Sequence, residues 1–586
     1  MESNDRKKPT DALKQEEAYK KIWNIAESLK SKNVKSWDFK SYILTTIFYK
    51  YLSQKLIDSF KEDDDIDYST LNDIEAITQK DAIISKYGFF MLPSELFCNV
   101  LKNAHDNPNL NKDLKQVFDN IENYVKNTKT FDNFKGLFND FNFSKIVVDN
   151  TNTNLINEKI ENILQGINKM EIDFLSKINI DSLGDAYVYL IGMYAADAGT
   201  TGGDFFTPQE VSKLLMKLAI SNFSNKLTDI SNIYDPACGS GSLLLQAVKL
   251  LGKNNFNKLK GQEINSTTYN LCRMNMFLHN VEPERFNIVC DDTLIHPAFI
   301  SDVVSGEKFD IIVSNPTYSS AWKGKDDPTL INDPRYRVAG VLAPKTKADF
   351  AFILHSLYYL SEKGTACIVC FPGILYRGGA EKKIREYLVN EGVIDCIIQL
   401  PANLFYGTNI ATDIMILRKN RTNSNEIFFI DASNEFIKVA NNNKLTDENI
   451  DKILNVYHNR KDIPYMAKMV NIDSIKGNDY SLNVAKYIEK KDETPKIDIN
   501  ELNQQIEKIV TKSNNLRKDI KGLTNNLQMQ EYANCKNQQI LNLAKGFIDQ
   551  LNLIIKSSQD ILLINEIRNL INKINELLSK LNYEDN

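Results

Sequence analysis

The stretch that most restricts the fold is FDIIVSNPTYSS, Phe309 to Ser320. Its β-branched run of Ile311, Ile312 and Val313 reads as a strand buried on both faces, as in a parallel sheet, and Pro316 ends it by withdrawing a backbone donor. Such a strand belongs to an α/β sheet covered on both sides. Asn315, Pro316, Thr317 and Tyr318 then sit at its carboxyl end, the edge at which open α/β sheets bind ligands. An amide, a rigid carbonyl and an aromatic ring over that crevice suit a planar amine.

The chemistry this points to is methyl transfer to an exocyclic amino group, whose lone pair is delocalised into its ring. The side-chain oxygen of Asn315 and the carbonyl of Pro316 would hold the amine hydrogens while Tyr318 stacks on the base. Taken alone, the tetrad reads as an ordinary strand-ending turn. Its neighbours change that.

NIYDPACGSGSLLL, Asn232 to Leu245, has a short apolar strand, an acid at its end, a tight glycine turn and an apolar helix. Gly239 and Gly241, with Ser240 and Ser242 beside them, let the backbone approach a ligand, and Asp235 orders the turn or meets a cationic group. No GxxxxGK[ST] pattern is present, so a nucleoside triphosphate fits poorly. An adenosine cofactor with a cationic sulfonium fits better. Ahead of this strand, GTTGGDFFTPQEVSKLL supplies one wall of the pocket through Asp204, Phe205, Phe206 and the turn amides, with Gln209 following. There the spacing predicts Thr207 as helix N-cap, Pro208 at the first helical position and Glu210 three residues beyond the cap. Two later strand ends add acids. Glu263 lies about twenty residues past the glycine turn, where an acid accepts ribose hydroxyls. Asp291 and Asp292 end FNIVCDDTL, placed to meet an adenine amine.

With 586 residues the chain has room for several cores. Hydrophobic content of 42% and charged content of 25% are those of a soluble globular protein. No apolar run approaches the ~18 residues of a membrane span, and the polar start MESNDRKKPT is unlike a secretory signal, so a cytoplasmic protein is expected. A net charge of −5 excludes coating of nucleic acid by bulk electrostatics, so any DNA grip is local or shared. Cys367 and Cys370 have CxxC spacing inside an apolar strand run, and with no second pair they read as buried thiols rather than metal ligands.

Residues 13–180 show helical spacing, as in Ile22, Ile25, Ala26 and Leu29, then Leu44, Ile47, Phe48, Tyr51 and Leu52. Glu62 to Asp65 and Asn150 to Asn154 read as loops between helices. Between Ala321 and Lys347 a polar stretch carries Lys323, Lys325, Arg335 and Arg337 beside the tetrad, and two readings stay open: a solvated loop, or contact with a displaced strand or flipped base. Strands ACIVCFP, VIDCIIQLP and TDIMILRK alternate with a helix near Glu381 to Asn390, and Phe428 to Ser433 is an added strand. In the tail, Leu502, Ile509, Leu516 and Leu523 recur every seven residues with Ile506 and Ile520 between them and Ser513 interrupting. Ile564, Ile567, Ile571, Ile574, Leu578 and Leu581 repeat the pattern, either as a hairpin with the first run or as a surface for a partner's helices.

DPACGSG, the Glu263 and Asp292 strand ends, the Asn-Pro-x-Tyr tetrad and the preceding GGDFFTPQ resemble the amino-group DNA methyltransferases, in the order used by modification (M) subunits of type I restriction-modification systems. The likeness extends over DDPTLINDPRYRVAGVLAPKTKADFAFILHSLYYL, CFPGILYRGGAEKKIREYL and IIQLPANLFYGTNIATDIMIL, and covers about Glu16 to Glu489. It implies a Rossmann-like α/β methyltransferase sheet of about seven strands. The domains are then an all-helical block over 1–180, the methyltransferase over 181–490 and a helical, coiled-coil tail over 491–586 for subunit docking. It also implies S-adenosylmethionine as cofactor, no metal, and a flipped adenine in double-stranded DNA as substrate. The implied partners are a specificity (S) subunit that reads the sequence, a second M subunit and a restriction (R) subunit, with no membrane. Thr317 departs from the family, which has a second proline there; the loop loses stiffness while Asn315, Pro316 and Tyr318 are kept. Two rival readings are a non-catalytic assembly subunit lapsed through Thr317, and an RNA or protein amino-group methyltransferase. The large helical block and heptad tail argue against the second.

Overall fold

The computed structural model describes residues 9–29, 36–146, 152–170, 182–198, 206–223, 230, 232–252, 255–405, 409–439, 442–489, 499–525, 533–558 and 560–583. The chain divides into two compact units, Met1–Lys491 and Asp492–Asn586.

The first unit opens with helices organised around Ser36–Asp64, which is buried all round from Phe39 to Lys50. A helix without a solvent face is a central one, and Leu44, Ile47, Phe48 and Leu52 are all buried in it, as their spacing predicts. It packs on the helix Thr153–Asn168, which in turn meets Leu110–Tyr124. The acids Glu62 to Asp65, expected as a loop, instead end the long helix, and only Asp65 leaves it, with a φ of 55°. Acids at a helix carboxyl end are unfavourable. Here Asp63 accepts hydrogen bonds from Lys86 Nζ at 2.7 Å and Tyr87 Oη at 2.8 Å, which offsets that. Asn152, in the Asn-rich stretch, caps the next helix by accepting from the amides of Asn154 and Leu155.

The strands are β1 (Asn232–Asp235), β2 (Lys258–Glu263), β3 (Phe286–Cys290), β4 (Phe309–Ser314), β5 (Leu360–Cys370), β6 (Ile394–Gln399), β7 (Asp413–Leu417), β8 (Glu426–Asp431), β9 (Ile437–Val439), β10 (Asn442–Lys444) and β11 (Ala467–Asn471). Nine form one sheet in the order β11-β8-β6-β7-β5-β4-β1-β2-β3, while β9 and β10 make a separate antiparallel pair. Strands β1 to β5 run parallel, β7 lies antiparallel between β5 and β6, and β8 returns parallel to β6. Seven strands match the expected core. β8 is the added strand expected near Phe428, and β11 closes the edge antiparallel to it, too half-polar (AKMVN) to show as a buried run. Cys367 and Cys370 are buried in β5. Among the described residues no helix is long and apolar enough to cross a membrane.

Side chains alternate between two cores. Ile233, Ile311 and Val313 share one with the helical block, including Phe48 and Phe134. Ile312 faces the other, with Phe309 beyond a register shift before Ile311, beneath the helices Asp349–Tyr359 and Ala380–Asn390 that carry Phe350 and Ile384. The helix Ser266–Leu278, which follows β2, ties the helical block to the sheet. Phe277 lies 4.8 Å from Phe134 by ring centroids, Thr267 and Asn270 donate to Asp140, and the fully buried Arg273 donates to the carbonyls of Asp132, Asn133 and Lys135.

The segment between Ala321 and Lys347 is neither wholly solvated nor free. Trp322 bonds the carbonyls of Lys345 and Pro344, closing the segment on itself. Arg335, read as a candidate for nucleic-acid contact, is buried; it pairs with Asp333 at 2.7 Å and donates to the carbonyls of Thr293 and Leu294 beyond β3. A guanidinium satisfied by a carboxylate and two carbonyls is an anchor. Lys323, Lys325 and Arg337 are exposed.

The second unit holds three helices, Ile499–Asn525, Ala533–Ser557 and Ile561–Tyr583. The middle one is absent from the heptad reading, and it packs against the last. The seam read from the sequence, Ile564, Ile567, Ile571, Ile574 and Leu578, is the less exposed side of the last helix. In the first helix Ile509 and Ile520 remain about 60% exposed.

Arg273→Ala would leave three carbonyls without their buried donor and should weaken docking of the helical block by about 3 kcal/mol. Hydrogen exchange should then quicken across residues 131–140 while the sheet keeps its protection; unchanged exchange there would refute the clamp.

Candidate functional site

The site is built by the reversal of strand order between β1 and β4. Tyr234 pairs with Ile312 and Ile233 with Ile311, so Asp235 and the residues after Ser314 emerge at one edge of the sheet. β2 and β3 bring Glu263 and the Asp291–Asp292 pair to the same edge. A crevice at such a reversal is where doubly wound sheets hold ligands.

Asp235 is fully buried. Its Oδ1 accepts from the Ala237 amide at 3.0 Å, and among the described residues its Oδ2 has no hydrogen-bond partner. Burial pushes its carboxyl up to about 7, against the pull of the Ala237 amide and the nearby Ser314 hydroxyl, and the charge of Glu263 adds to the rise. A buried carboxylate with one oxygen unpartnered is costly unless a cation meets it. The residues therefore fit a ligand with a positive centre.

The glycine turn follows. Gly239 and Gly241 take φ of 54° and 84°, which L side chains rarely adopt. A Cβ on Gly241 would also come within 2.9 Å of Cys272 Sγ and Met276 Cε, so this glycine lets the turn lie against the helix Ser266–Leu278. Ser240 and Ser242 are buried in the turn, where Asn275 holds the Ser240 carbonyl at 2.9 Å. Glu263 accepts from the Gly239 amide at 3.0 Å and the Asn265 amide at 2.9 Å, so the acid and the turn brace each other. Burial raises its carboxyl above the ordinary value. Asp292 accepts from the Leu294 amide at 2.9 Å, and Asp291 is exposed, 3.1 Å from His296 Nδ1.

On the other side of the crevice, Asn315 Nδ2 donates to Thr207 Oγ1 at 3.1 Å, and Tyr318 Oη donates to Asn315 Oδ1 at 2.6 Å. The two bonds set the amide with its oxygen toward the tyrosine. Burial holds the Tyr318 phenol well above its usual pKa, so it remains a donor. Pro316 is buried and Thr317 exposed. Thr207 is not the helix cap: the helix is Gln209–Ile220, its N-cap is Pro208 and no side chain caps it. The threonine hydroxyl, expected at the helix amides, is spent on Asn315 instead. Phe206 is buried against Gly192. Gln209 Oε1 accepts from Gln246 at 2.8 Å, while its buried Nε2 has no partner among the described residues. Asp204 and Phe205 lie outside the described residues.

Three residues at this edge escaped the motif reading. Phe405, after β6, stands edge-on to Tyr318 with ring centroids 6.4 Å apart. Ile264 is 69% exposed beside Glu263, an apolar surface where a ligand ring would lie; its signal is an apolar residue directly after a strand-ending acid. Asp349 accepts from the Ser319 amide.

Residues 178–496 match the N-6 DNA Methylase family and residues 19–163 the HsdM N-terminal domain. The type I restriction enzyme MpnII methylase subunit of Mycoplasma pneumoniae is 46% identical over 527 residues, covering 87% of this chain and 96% of that one. The crystal structure of the type I restriction-modification system methyltransferase subunit from Streptococcus thermophilus is 34% identical, with a TM-score of 0.72 over 81% of this chain and 99% of that one. A chain from a structural study of complex assembly and conformational transition of the type I R-M system shares the fold, at 17% identity and a TM-score of 0.55, over 88% of this chain and 99% of that one.

The raised carboxyl of Asp235 gives a signed pH dependence. Its contribution to stability is complete below the unfolded carboxylate value of about 4, and is lost as pH rises through about 7. Relative to wild type, Asp235→Asn should therefore gain thermal stability between pH 5 and pH 8 without ligand. A melting-temperature difference that stays constant over that range would show that the carboxyl is ionised throughout.

Proposed function

Because this chain belongs to the methylase subunits of type I restriction-modification systems, which are adenine-specific DNA methyltransferases, we propose that it methylates a flipped adenine at Asn315, Pro316 and Tyr318. The observation that carries the assignment is the fixed amide of Asn315, held by Thr207 and Tyr318. A carbonyl oxygen has two lone pairs. Tyr318 uses one, and the other is free to accept from the target amine together with the Pro316 carbonyl. Drawing the amine hydrogens to these oxygens releases its lone pair towards the methyl donor. The base must leave the duplex to get there, because its amine is unreachable while stacked and paired. Proton loss follows methyl transfer, when the nitrogen is cationic and acidic, so no side chain has to act as a strong base.

The cofactor assigned to the edge of β1, β2 and β3 is S-adenosylmethionine, which when bound supplies the methyl group from a cationic sulfonium. Asp235 suits its positive end, Glu263 its ribose hydroxyls and Asp292 its adenine amine, with Ile264 against the ring. The turn Gly239–Ser242 and the wall from Phe206 to Gln209 complete the pocket. Thr317 gives little support to a lapsed, non-catalytic subunit, since its side chain is exposed and the contacts of Asn315 and Tyr318 are made. Residues 1–180, 181–490 and 491–586 are assigned as helical, catalytic and docking regions. The open apolar seam of the helix Ile499–Asn525 favours docking on a specificity subunit, in a complex with DNA, a second methylase subunit and a restriction subunit.

Asn315→Ala should leave S-adenosylmethionine affinity nearly intact and cut methylation at least about a hundredfold, as loss of an aligned transition-state contact does. Calorimetry and tritium transfer to DNA separate the two, and equal loss of both would assign Asn315 to the cofactor or the fold. A chain ending at Lys490 should still bind the cofactor but fail to co-purify with the specificity subunit. Normal assembly of that truncated chain would move the docking surface to the first unit.

A further inference from the structure

The loop after β4 lacks the second proline that would stiffen it, yet it is not loose. Among the described residues, no hydrogen bond uses the amides of Thr317 or Tyr318, and Ser319 is the first residue of the loop whose amide is held. Its acceptors are both carboxylate oxygens of Asp349, each at 3.2 Å. Ser319 has a φ of 50°, a left-handed conformation that an L residue keeps only when its surroundings enforce it. Next in the chain, the Ser320 carbonyl accepts from the Ala348 amide at 2.9 Å. Residues 319 and 320 are thus pinned to residues 348 and 349, at the start of the helix Asp349–Tyr359.

Asp349 is buried, and the amino end of its helix favours its negative charge. It is the sole side chain among the described residues that binds the backbone of residues 317–319. The position of Tyr318 follows from this. Its ring is attached one residue before the gripped amide, and its hydroxyl reaches Asn315 Oδ1 at 2.6 Å only with the backbone in that place.

We propose that Asp349 is a positioning residue for the catalytic loop, and that its grip on the Ser319 amide does the stiffening a proline at position 317 would otherwise do. This rests on the assignment of Asn315 and Tyr318 to the reacting amine. The two devices act on one property, the freedom of the backbone between Pro316 and Ser319. The amide of residue 317 is unbonded among the described residues and its φ is not positive, so a proline there removes no hydrogen bond.

The test is a double-substitution cycle on the full chain assembled with its specificity subunit. Asp349→Ala should lower kcat about thirtyfold or more with the KM for S-adenosylmethionine within about twofold, as expected when only the reacting geometry is loosened. Asp349→Asn keeps one acceptor oxygen and should lose less than tenfold. Thr317→Pro should raise the activity of Asp349→Ala at least about tenfold more than it raises that of the wild type. Equal loss with and without the proline, or an unaffected kcat in Asp349→Ala, overturns the proposal. If Asp349→Ala does not fold, Asp349→Leu, of similar shape and without an acceptor, carries the test by hydrogen exchange of the peptide containing Ser319, which should quicken at least tenfold; unchanged exchange overturns the grip. That exchange measurement needs no turnover, so a wild-type complex that fails to methylate DNA refutes the function while leaving the grip separately decided.

Discussion

The parallel pairing of β1 with β4 is the contact on which the rest of this molecule depends. From β1 the chain winds outward through β2 and β3, then returns to lay β4 on the opposite side of β1. At that reversal the following segments leave in opposite directions, which opens the crevice. The register of Tyr234 with Ile312 sets Asp235 beside the start of the Asn315 loop. Shifting that register by one residue would turn Ile311 and Ile312 to the wrong cores and carry both functional ends with them.

Charge is distributed around the crevice with a consistent logic. Asp235 and Glu263 are desolvated and meet backbone amides instead of lysine or arginine. A neighbouring guanidinium would have neutralised them. The buried arginines lie elsewhere: Arg273, Arg335 and Arg385 fasten loops by their carbonyls, and the half-buried Arg421 and Arg460 pair with Asp395 of β6. These arginines are structural, while the acids at the sheet edge have no arginine or lysine partner among the described residues.

The helix Ser266–Leu278 links the helical block to the edge of β1 and β2 through one rigid element. Its first turn follows Glu263 by way of the Asn265 cap, its middle holds the Ser240 carbonyl through Asn275, and its outer face carries Arg273 and Phe277 into the helical block. A shift of the block would strain the glycine turn, since Gly241 already lies against Cys272 and Met276. The block is therefore part of the support of the pocket as well as a neighbour of it.

The sequence by itself determined the strand ends, the glycine turn and the tetrad, because these rest on local chemistry: β-branched runs, positive φ at Gly239 and Gly241, and Pro316 as a terminator. Periodicity located the seam of the last helix for the same reason. What it could not decide were choices between partners far apart in the chain. Thr207 satisfies every rule for a helix cap, yet its hydroxyl serves Asn315, 108 residues away. Arg335 has the composition of an exposed base, yet folds inward because two carbonyls past β3 lie within its reach. Asp349 is an acid in the first turn of its helix, and only the packing of that helix against the Asn315 loop turns its carboxylate to the Ser319 amide. Local propensity states what each residue can do; the tertiary structure decides which of several adequate partners is near enough to be chosen, because most buried polar groups must find a partner at once.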